Sequence, residues 1–358
     1  MRICVEARGV SGQSTGAGKA LRYLLRQLRK DFPQHEYVAC VPHGTAVWRL
    51  RRQLLWEQVE LPWRALRLGA DVLHVPGGTS APLVRCGRLV MTVHDLAPTR
   101  HPQLLSHARS RWYWGSWVPL TARFADRLLV PSASTKRDLV ALAGVPASRI
   151  SVVPWGIPLD EVDLARAEGV GEAHGLVDPF LLYVGTIDRR KDYPTLLAAL
   201  KRLDPSITLA VAGTIIPGRT DFPEMVRRLG LERRVKVLGY VPDRDLPALY
   251  RAARVFVYPS FYEGFGIPIL EAMACGTPVI TYNVTALPEI AAGAARLLDC
   301  PVTPEALADE IGRVMEDAGL RRELSERGRA RARQFDWATT ARLTVEAYEA
   351  VVRGEPAR

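Results

Sequence analysis

The chain has 358 residues, of which 24% are charged and 48% are hydrophobic, and its formal net charge is +10. This length allows two domains of ordinary size, and the composition excludes an intrinsically disordered chain and a membrane-spanning one. No uninterrupted apolar run reaches the 18 residues of a membrane span, and a predicted strand begins at once. We therefore expect neither a signal peptide nor a transmembrane helix.

The five cysteines are scattered along the chain and show no metal-ligand spacing. Most of them lie in apolar surroundings and are predicted to be buried thiols. A reducing, cytoplasmic compartment fits this pattern best. The cysteines therefore predict no metal site.

The positive charge comes mostly from arginine, and no DNA- or RNA-binding motif accompanies it. We therefore expect no nucleic-acid partner. A basic surface would favour anionic lipids, a pyrophosphate-linked acceptor or an anionic nucleotide, and the charge alone does not choose among them.

Aromatic residues are interleaved with arginines in two segments. This pattern is typical of a helix lying on a membrane surface, of an acceptor-stacking wall and of an ordinary domain surface. Peripheral contact with an anionic membrane is one of these three interpretations. The aromatic residues concerned are Trp48, Trp56, Trp63, Trp112, Tyr113, Trp114 and Trp117.

In the first half of the chain, short apolar runs alternate with helical patterns. The runs predict buried strands at residues 2–7, 37–41, 72–75, 89–93 and 127–130, and leucines at helical spacing predict a helix over 20–30. Strands that recur with helices between them predict a parallel, doubly wound sheet. The density of proline and glycine rises around 151–158, and a polar stretch from 160 to 178 follows as the predicted linker.

The second half restarts the same α/β pattern. Strands are predicted at 180–184, 208–212, 235–238, 255–258, 278–282 and 295–298, with helices such as 193–202 and 246–253. We therefore predict two Rossmann-like domains, 1–160 and 178–334, facing each other across a deep cleft with the ligand between the carboxyl ends of both sheets. An amphipathic segment, 335–358, ends the chain.

Two features of the first half are candidates for function. The glycine-rich segment 12–20 resembles a P-loop but fails as one, because Gln13 replaces a required glycine and Ala20 replaces the metal-binding hydroxyl. Gly16 and Gly18 would still let backbone amides approach a phosphate closely. His94 follows a predicted strand, at the functional edge of a parallel sheet. The next residue, Asp95, could serve function or cap the following turn.

The strongest signal lies in the second half. Glu263 and Glu271 are eight positions apart and bracket a turn of Gly264, Phe265 and Gly266, with a strand before it and a short predicted helix, 269–275, after it. Amides of such a turn and the positive end of the helix dipole favour a phosphate. Carboxylates on both flanks would accept hydrogen bonds from hydroxyls, which is the layout of a nucleoside diphosphate sugar.

These residues closely resemble the signature of the GT4 family of retaining glycosyltransferases (glycosyl transferases group 1), and the match continues from Glu263 to Ile280. The resemblance covers nearly the whole chain. It implies a GT-B fold, a metal-independent reaction that needs no cofactor and retains the anomeric configuration, and a last helix that crosses back onto the N-terminal, acceptor-binding domain. Local resemblance around Trp56-Glu57-Gln58 and His94-Asp95 points towards the bacterial polysaccharide mannosyltransferase-like subgroup.

The resemblance also implies roles for residues. Lys191 occupies the position of a lysine that binds the donor pyrophosphate, whereas Thr186 departs from an arginine found in many members. Arg190 or Arg189 could replace that second cation. Glu263 would hold sugar hydroxyls, Glu271 the ribose, and His94 would face the transferred sugar.

The implied partners are a GDP- or UDP-linked hexose donor, of mannose or glucose type, and a glycan or lipid-linked acceptor. Two alternatives remain open from the sequence. One is a nucleotide-sugar epimerase of the same fold, and the other is a non-catalytic adaptor on a membrane surface.

Overall fold

The structure, a computed structural model, describes residues 1–8, 16–42, 50–77, 79–105, 107–158, 171, 174–176, 178–215 and 220–357, without the side chain of Leu104. The chain forms two compact units. The first unit comprises Met1–Gly156 together with Phe335–Arg358, and the second comprises Ile157–Gln334.

Each unit is built on a six-stranded sheet in which all paired strands are parallel. The first sheet has the strand order β2-β1-β3-β4-β5-β6 and the second has β12-β11-β10-β7-β8-β9. The predicted α/β class with two parallel, Rossmann-like sheets is therefore confirmed. The strands are β1 Arg2–Glu6, β2 Glu36–Cys40, β3 Val72–Val75, β4 Arg88–Thr92, β5 Arg127–Val130, β6 Ile150–Val152, β7 Phe180–Val184, β8 Thr208–Ala212, β9 Val235–Gly239, β10 Val255–Tyr258, β11 Val279–Tyr282 and β12 Arg296–Leu298.

Helices connect the strands. Within two of the connections, a π-helical turn, Trp56–Glu60 or Tyr113–Trp117, continues directly from one α-helix into the next. The α-helices are Gly16–Asp31, Leu50–Leu55, Leu61–Arg67, Ala97–Arg100, Ala108–Trp112, Val118–Ala122, Ala133–Ala143, Tyr193–Arg202, Phe222–Arg228, Leu246–Ala252, Ile267–Ala274, Leu287–Ala291, Pro304–Glu316, Ala318–Ala332 and Trp337–Arg353.

The first sheet is covered by an apolar cluster on each face. Successive side chains of a strand point to opposite faces, so neighbours along a strand belong to different clusters. In β1, Cys4 packs in one apolar cluster, whereas its neighbours Ile3 and Val5 pack in the other. The second cluster contains side chains of two helices, Gly16–Asp31 and Trp337–Arg353. The last helix of the chain therefore belongs to the core of the first unit.

One strand was missed by the sequence analysis. Residues 151–158 were interpreted as the approach to a linker, but Ile150–Val152 forms β6, which pairs with β5 in the register Leu128 to Ile150. Ile150 is completely buried. The proline and glycine that suggested a linker follow this short edge strand.

Candidate active site

The order of the second sheet brings two loops together. Strand β10 lies between β11 and β7, so the loops after β7 and after β10 leave the same edge of the sheet. A backbone hydrogen bond of 2.9 Å from Phe261 N to the carbonyl of Arg190 joins these loops directly. The loop after β7, which contains Arg189, Arg190 and Lys191 and is called the basic loop below, therefore forms one site with the segment from Glu263 to Glu271.

Local interactions fix the basic loop in a single turn. The Asp188 carboxylate accepts a hydrogen bond of 2.9 Å from the backbone of Arg190, which closes the 3₁₀ turn Arg189–Lys191. Asp192 adopts left-handed backbone angles (φ 36°) and caps the next helix, and Tyr282 donates to its carboxylate at 2.7 Å. This arrangement directs Lys191 inward, and its side chain is buried.

Lys191 and Glu263 form a buried ion pair at this site. The ammonium donates hydrogen bonds to Glu263 Oε1 and to the hydroxyl of Tyr258, and it lies 4.2 Å from the centre of the Tyr258 ring. Ser260 donates to the same carboxylate oxygen at 2.7 Å. Thr285 Oγ1 accepts from the backbone N–H of Glu263 at 3.0 Å, which fixes the main chain at this glutamate.

The electrostatics keep this carboxylate ionised. Burial alone would raise the pKa of Glu263, but the ammonium of Lys191 and the guanidinium of Arg190 hold that pKa at about 2. Burial lowers the pKa of Lys191, and Glu263 opposes that shift. A ligand anion that reached Lys191 would compete with Glu263 for the same ammonium.

The glycine turn leads directly into the helix Ile267–Ala274. Gly266 caps this helix with φ +102°, and a Cβ added there would lie 2.9 Å from Leu287 Cδ2. Both the backbone angle and the close approach therefore favour glycine. Gly264 and Phe265 are buried in the same turn. The helix begins two residues earlier than predicted, so its amino terminus lies immediately after the turn.

Glu271 lies further along that helix and has a different partner. Its Oε2 accepts a hydrogen bond of 3.0 Å from the hydroxyl of Tyr250, while the carboxylate remains half-buried. The structure thus brings Glu263 and Lys191 into contact and places Glu271 beside the helix Leu246–Ala252.

His94 lies in the first unit, two residues after β4 ends at Thr92. Both ring nitrogens are buried, and the ring packs edge-on against Trp155 with 4.8 Å between centroids. Burial lowers the pKa of His94 to about 4, although Asp95 opposes the shift. The imidazole is therefore neutral at pH 7.

The other N-terminal candidates differ in part from expectation. Gly16 and Gly18 were assigned to a loop, but they lie in the first turn of the helix Gly16–Asp31, so the predicted helix start at residue 20 was wrong. Residues 12–15 of the predicted glycine loop lie outside the described residues. Backbone amides in the first turn of a helix can bind an anion, so the role of these glycines stays a prediction.

Two polar residues near His94 have structural contacts. Asp95 accepts a hydrogen bond of 2.9 Å from the backbone of Ala97 and so closes the turn that leads into the short helix Ala97–Arg100. His74 is fully buried between Thr92 and Tyr348, with hydrogen bonds of 2.8 and 2.7 Å. These contacts make His74 part of the core of the first unit.

Sequence reasoning missed three side chains that support the site. Tyr258 and Ser260 bind the Lys191–Glu263 pair, and Tyr250 binds Glu271. A signal for Tyr258 was available, because it ends a strand of a parallel sheet, where functional side chains collect. The same signal extends to Ser260, which follows that strand by two residues, whereas Tyr250 carried no such signal.

Within the described ranges, no helix is long and apolar enough to cross a membrane. In the same residues, no group of three or more His, Cys, Asp and Glu side chains is placed to hold a metal ion.

Comparison with known proteins identifies the family. The model for glycosyltransferase family 4 matches residues 16–161, and the model for glycosyl transferases group 1 matches residues 172–331. O-antigen chain mannosyltransferase B of Escherichia coli is 36% identical over 321 residues, which cover 86% of this chain and 83% of that protein. The chain belongs to glycosyltransferase family 4.

Further similarities agree with this family 4 assignment. The serotype-specific mannosyltransferase WbdA of Escherichia coli is 28% identical over 73% of this chain, which matches 33% of that longer protein. The crystal structure of Anabaena HepE in complex with UDP-glucose has a TM-score of 0.76 at 21% identity, over 98% of this chain and 100% of that one. The structural likeness establishes that the family 4 chain has the GT-B fold.

Proposed function

We propose that this family 4 glycosyltransferase transfers a hexose, and specifically mannose, from a nucleoside diphosphate sugar to a glycan or lipid-linked acceptor during polysaccharide synthesis. The similarity to an O-antigen mannosyltransferase supports the choice of sugar and product class. The UDP-glucose bound to HepE supports the class of donor. The single observation that carries the proposal is the buried Lys191–Glu263 pair beside the glycine turn.

The leaving group sets the first chemical requirement. A nucleoside diphosphate gains negative charge as the bond to the sugar breaks, and positive groups placed beforehand stabilise that charge. In our proposal Lys191 supplies an ammonium, with Arg190 beside it on the same turn. The amides from Gly264 to Gly266 and the positive end of the following helix supply the rest. This set would replace a divalent cation, which is why we propose a metal-independent reaction.

The transferred sugar sets the second requirement. An ionised carboxylate can accept hydrogen bonds from sugar hydroxyls and stabilise the oxocarbenium-like charge of the transition state, and the low pKa of Glu263 keeps it in that form. We assign Glu271 to the ribose hydroxyls of the donor. His94, neutral at pH 7, would face the sugar as a hydrogen-bonding group. By analogy with the family, we propose retention of the anomeric configuration.

The test uses the full chain and a panel of donors. A thermal-shift screen against nucleoside diphosphates and GDP- and UDP-linked sugars should show the largest stabilisation with the true donor, because a tight ligand raises the apparent stability by mass action. The selected donor is then incubated with and without a glycan acceptor, and the products are followed by NMR. We expect acceptor-dependent transfer of mannose with the anomeric configuration retained. Conversion of the donor in the absence of acceptor would indicate an epimerase. Absence of both transfer and conversion would indicate a non-catalytic adaptor.

Metal independence is tested separately. If Lys191 and the glycine turn carry the charge of the diphosphate, excess EDTA should leave the rate within about twofold, because no divalent cation takes part in departure of the leaving group. A large loss that Mg²⁺ or Mn²⁺ restores would contradict the proposed chemistry.

A further inference from the structure

A row of apolar side chains covers the outer side of one helical segment in the first unit. The segment consists of Leu50–Leu55, Trp56–Glu60 and Leu61–Arg67, and its inner side buries Trp56, Leu61 and Ala65 in the core. The outer row repeats at about one helical turn, and each side chain is at least half exposed. Its members are Leu55 at 50%, and Val59, Trp63 and Leu66 each at 55% exposure.

The outer row extends onto a neighbouring loop. The amide of Gln58 donates to the carbonyl of Ala81 at 3.0 Å and accepts from the backbone of Leu83 at 3.0 Å. These bonds hold the loop against the helical segment, and Leu83 and Val84 are 45% and 57% exposed there. Single exposed apolar residues are ordinary, but an adjoining group of this kind marks a contact surface.

Arginines flank this apolar row at both ends. Arg51 and Arg52 are exposed one turn before Leu55, and Arg67 is exposed one turn after Trp63. The Arg67 guanidinium lies 4.6 Å from the centre of the Trp63 ring. Arginines around an apolar, tryptophan-containing helix face are suited to a surface that combines anionic headgroups with acyl chains.

The structure shows which aromatic residues of the two arginine-rich segments are exposed enough to contact a partner. Trp56 and Tyr113 are buried in the core at 1% and 2% exposure, so they are unable to contact a partner. Trp48 lies outside the described residues. Trp63 and Trp112, at 55% and 47%, are the exposed aromatic residues among those described in the two segments.

We propose that the outer row, with Leu83, Val84 and the flanking arginines, is a surface that binds an anionic lipid bilayer. The apolar side chains enter the headgroup boundary, and the arginines pair with lipid phosphates. A second copy of the chain fits less well, because an isologous contact would place like arginine groups against each other. This proposal concerns where the enzyme works and does not depend on the identity of the donor or acceptor.

The experiment measures binding of the full chain to vesicles of phosphatidylcholine, with and without phosphatidylglycerol. We expect binding to the anionic vesicles that weakens as salt rises. The change Arg51→Gln with Arg52→Gln should weaken binding about fivefold per arginine. The change Trp63→Ser with Leu66→Ser should weaken it on the order of tenfold or more, since two apolar side chains lose their burial.

Matched controls come from exposed residues elsewhere. Arg228→Gln with Arg233→Gln, and Val237→Ser with Tyr240→Ser, remove the same kinds of group from the second unit and should leave vesicle binding unchanged. Quenching of tryptophan fluorescence by brominated lipids should be reduced in Trp63→Phe and retained in Trp112→Phe. Transfer to a water-soluble acceptor should stay at the wild-type rate in the variants of the outer row.

Several results would overturn the proposal. One is that the wild-type chain does not bind anionic vesicles at low salt. Another is that the variant with Trp63→Ser and Leu66→Ser binds them as strongly as the wild type. A third is that quenching by brominated lipids is unchanged in Trp63→Phe. Self-association that this double variant abolishes, without vesicle binding, would instead identify an interface between copies. These results are distinct from a failed transferase assay, which would contradict the proposed function alone.

Discussion

Lys191 and Glu263 form a buried ion pair although 72 positions separate them in the chain. Each is also bound to Tyr258, and Ser260 completes the shell of the carboxylate. In our proposal these two side chains serve different parts of the donor, the diphosphate and the sugar. Their contact with each other therefore neutralises two buried charges that a bound donor would otherwise neutralise.

The energetic coupling of this pair can be measured by a double-mutant cycle. Lys191→Met and Glu263→Gln should each reduce the free energy of unfolding by about 3 kcal/mol, because removing one partner leaves the other charge buried and unpaired. The double variant should lose much less than the sum of the two. Urea unfolding measures all three. The same cycle on the exposed pair Arg202 and Glu305 is the control and should give a much smaller coupling, because water screens exposed charges.

Lys191 should also decide how strongly the diphosphate binds. Lys191→Ala should reduce turnover on the order of 10²-fold or more, by analogy with loss of one oxyanion donor. Lys191→Arg should retain part of the activity, since the charge survives while its geometry changes. By calorimetry, nucleoside diphosphate should bind Lys191→Ala more weakly, whereas free nucleoside should bind as before. Equal affinity of the diphosphate for wild type and Lys191→Ala would move the role to Arg189 or Arg190.

The two glutamates should affect different kinetic constants. Glu271→Ala should mainly raise the KM for the donor, because the ribose contact that we propose for it is the same in the ground state and the transition state. Glu263→Ala should mainly lower kcat, because the hydroxyls that we propose as its partners belong to the sugar that becomes charged. Steady-state kinetics separate the two effects, with the exposed Glu232→Ala as a reference. Values near wild type for both variants would contradict the assignment.

The buried imidazole of His94 should make stability depend on pH. Its pKa is lowered from 6.5 to about 4 in the folded chain, so the unfolded chain binds more protons between these values. The contribution of neutral His94 to the free energy of unfolding is therefore complete above pH 6.5, and it is lost as the pH falls towards 4. His94→Asn should make this fall shallower by up to about 1.4 kcal/mol per pH unit. Urea midpoints measured from pH 7 to pH 4 test this, with the exposed His107→Asn as the control. Parallel curves for wild type and His94→Asn would show that His94 does not titrate as described.

The sequence predicted the strands well where both faces are buried. The bounds of β3, β5, β7, β8 and β10 match the predicted bounds, because a strand covered on both sides consists mostly of apolar residues. Strand β6 was missed since its three residues pair only through β5, and that contact is not visible in local sequence. The start of the first helix was misplaced because Gly16 and Gly18 are poor helix formers, although they are tolerated in a first turn.

Lys191 and Glu263 were both predicted as residues of a donor site, but the contact between them was not. Spacing identified Glu263 and the family resemblance identified Lys191, and neither indicated that the two side chains touch. That contact requires β7 and β10 to be neighbours, although β8 and β9 lie between them in the chain. Strand order is a tertiary property, and local periodicity does not encode it. For the same reason, no pattern in the sequence indicated that Tyr250 would bind Glu271.

The last helix has a consequence for how the chain is made. Val345 and Tyr348 pack in the same cluster as Val5, Val90 and Leu129, which all precede the second unit in the chain. A ribosome has to complete the second unit before it produces the last helix. Until then, only the helix Gly16–Asp31 is available to cover this face of the first sheet, while the continuous second unit already has all of its own residues. The part of the protein that emerges first is therefore the part that finishes folding last.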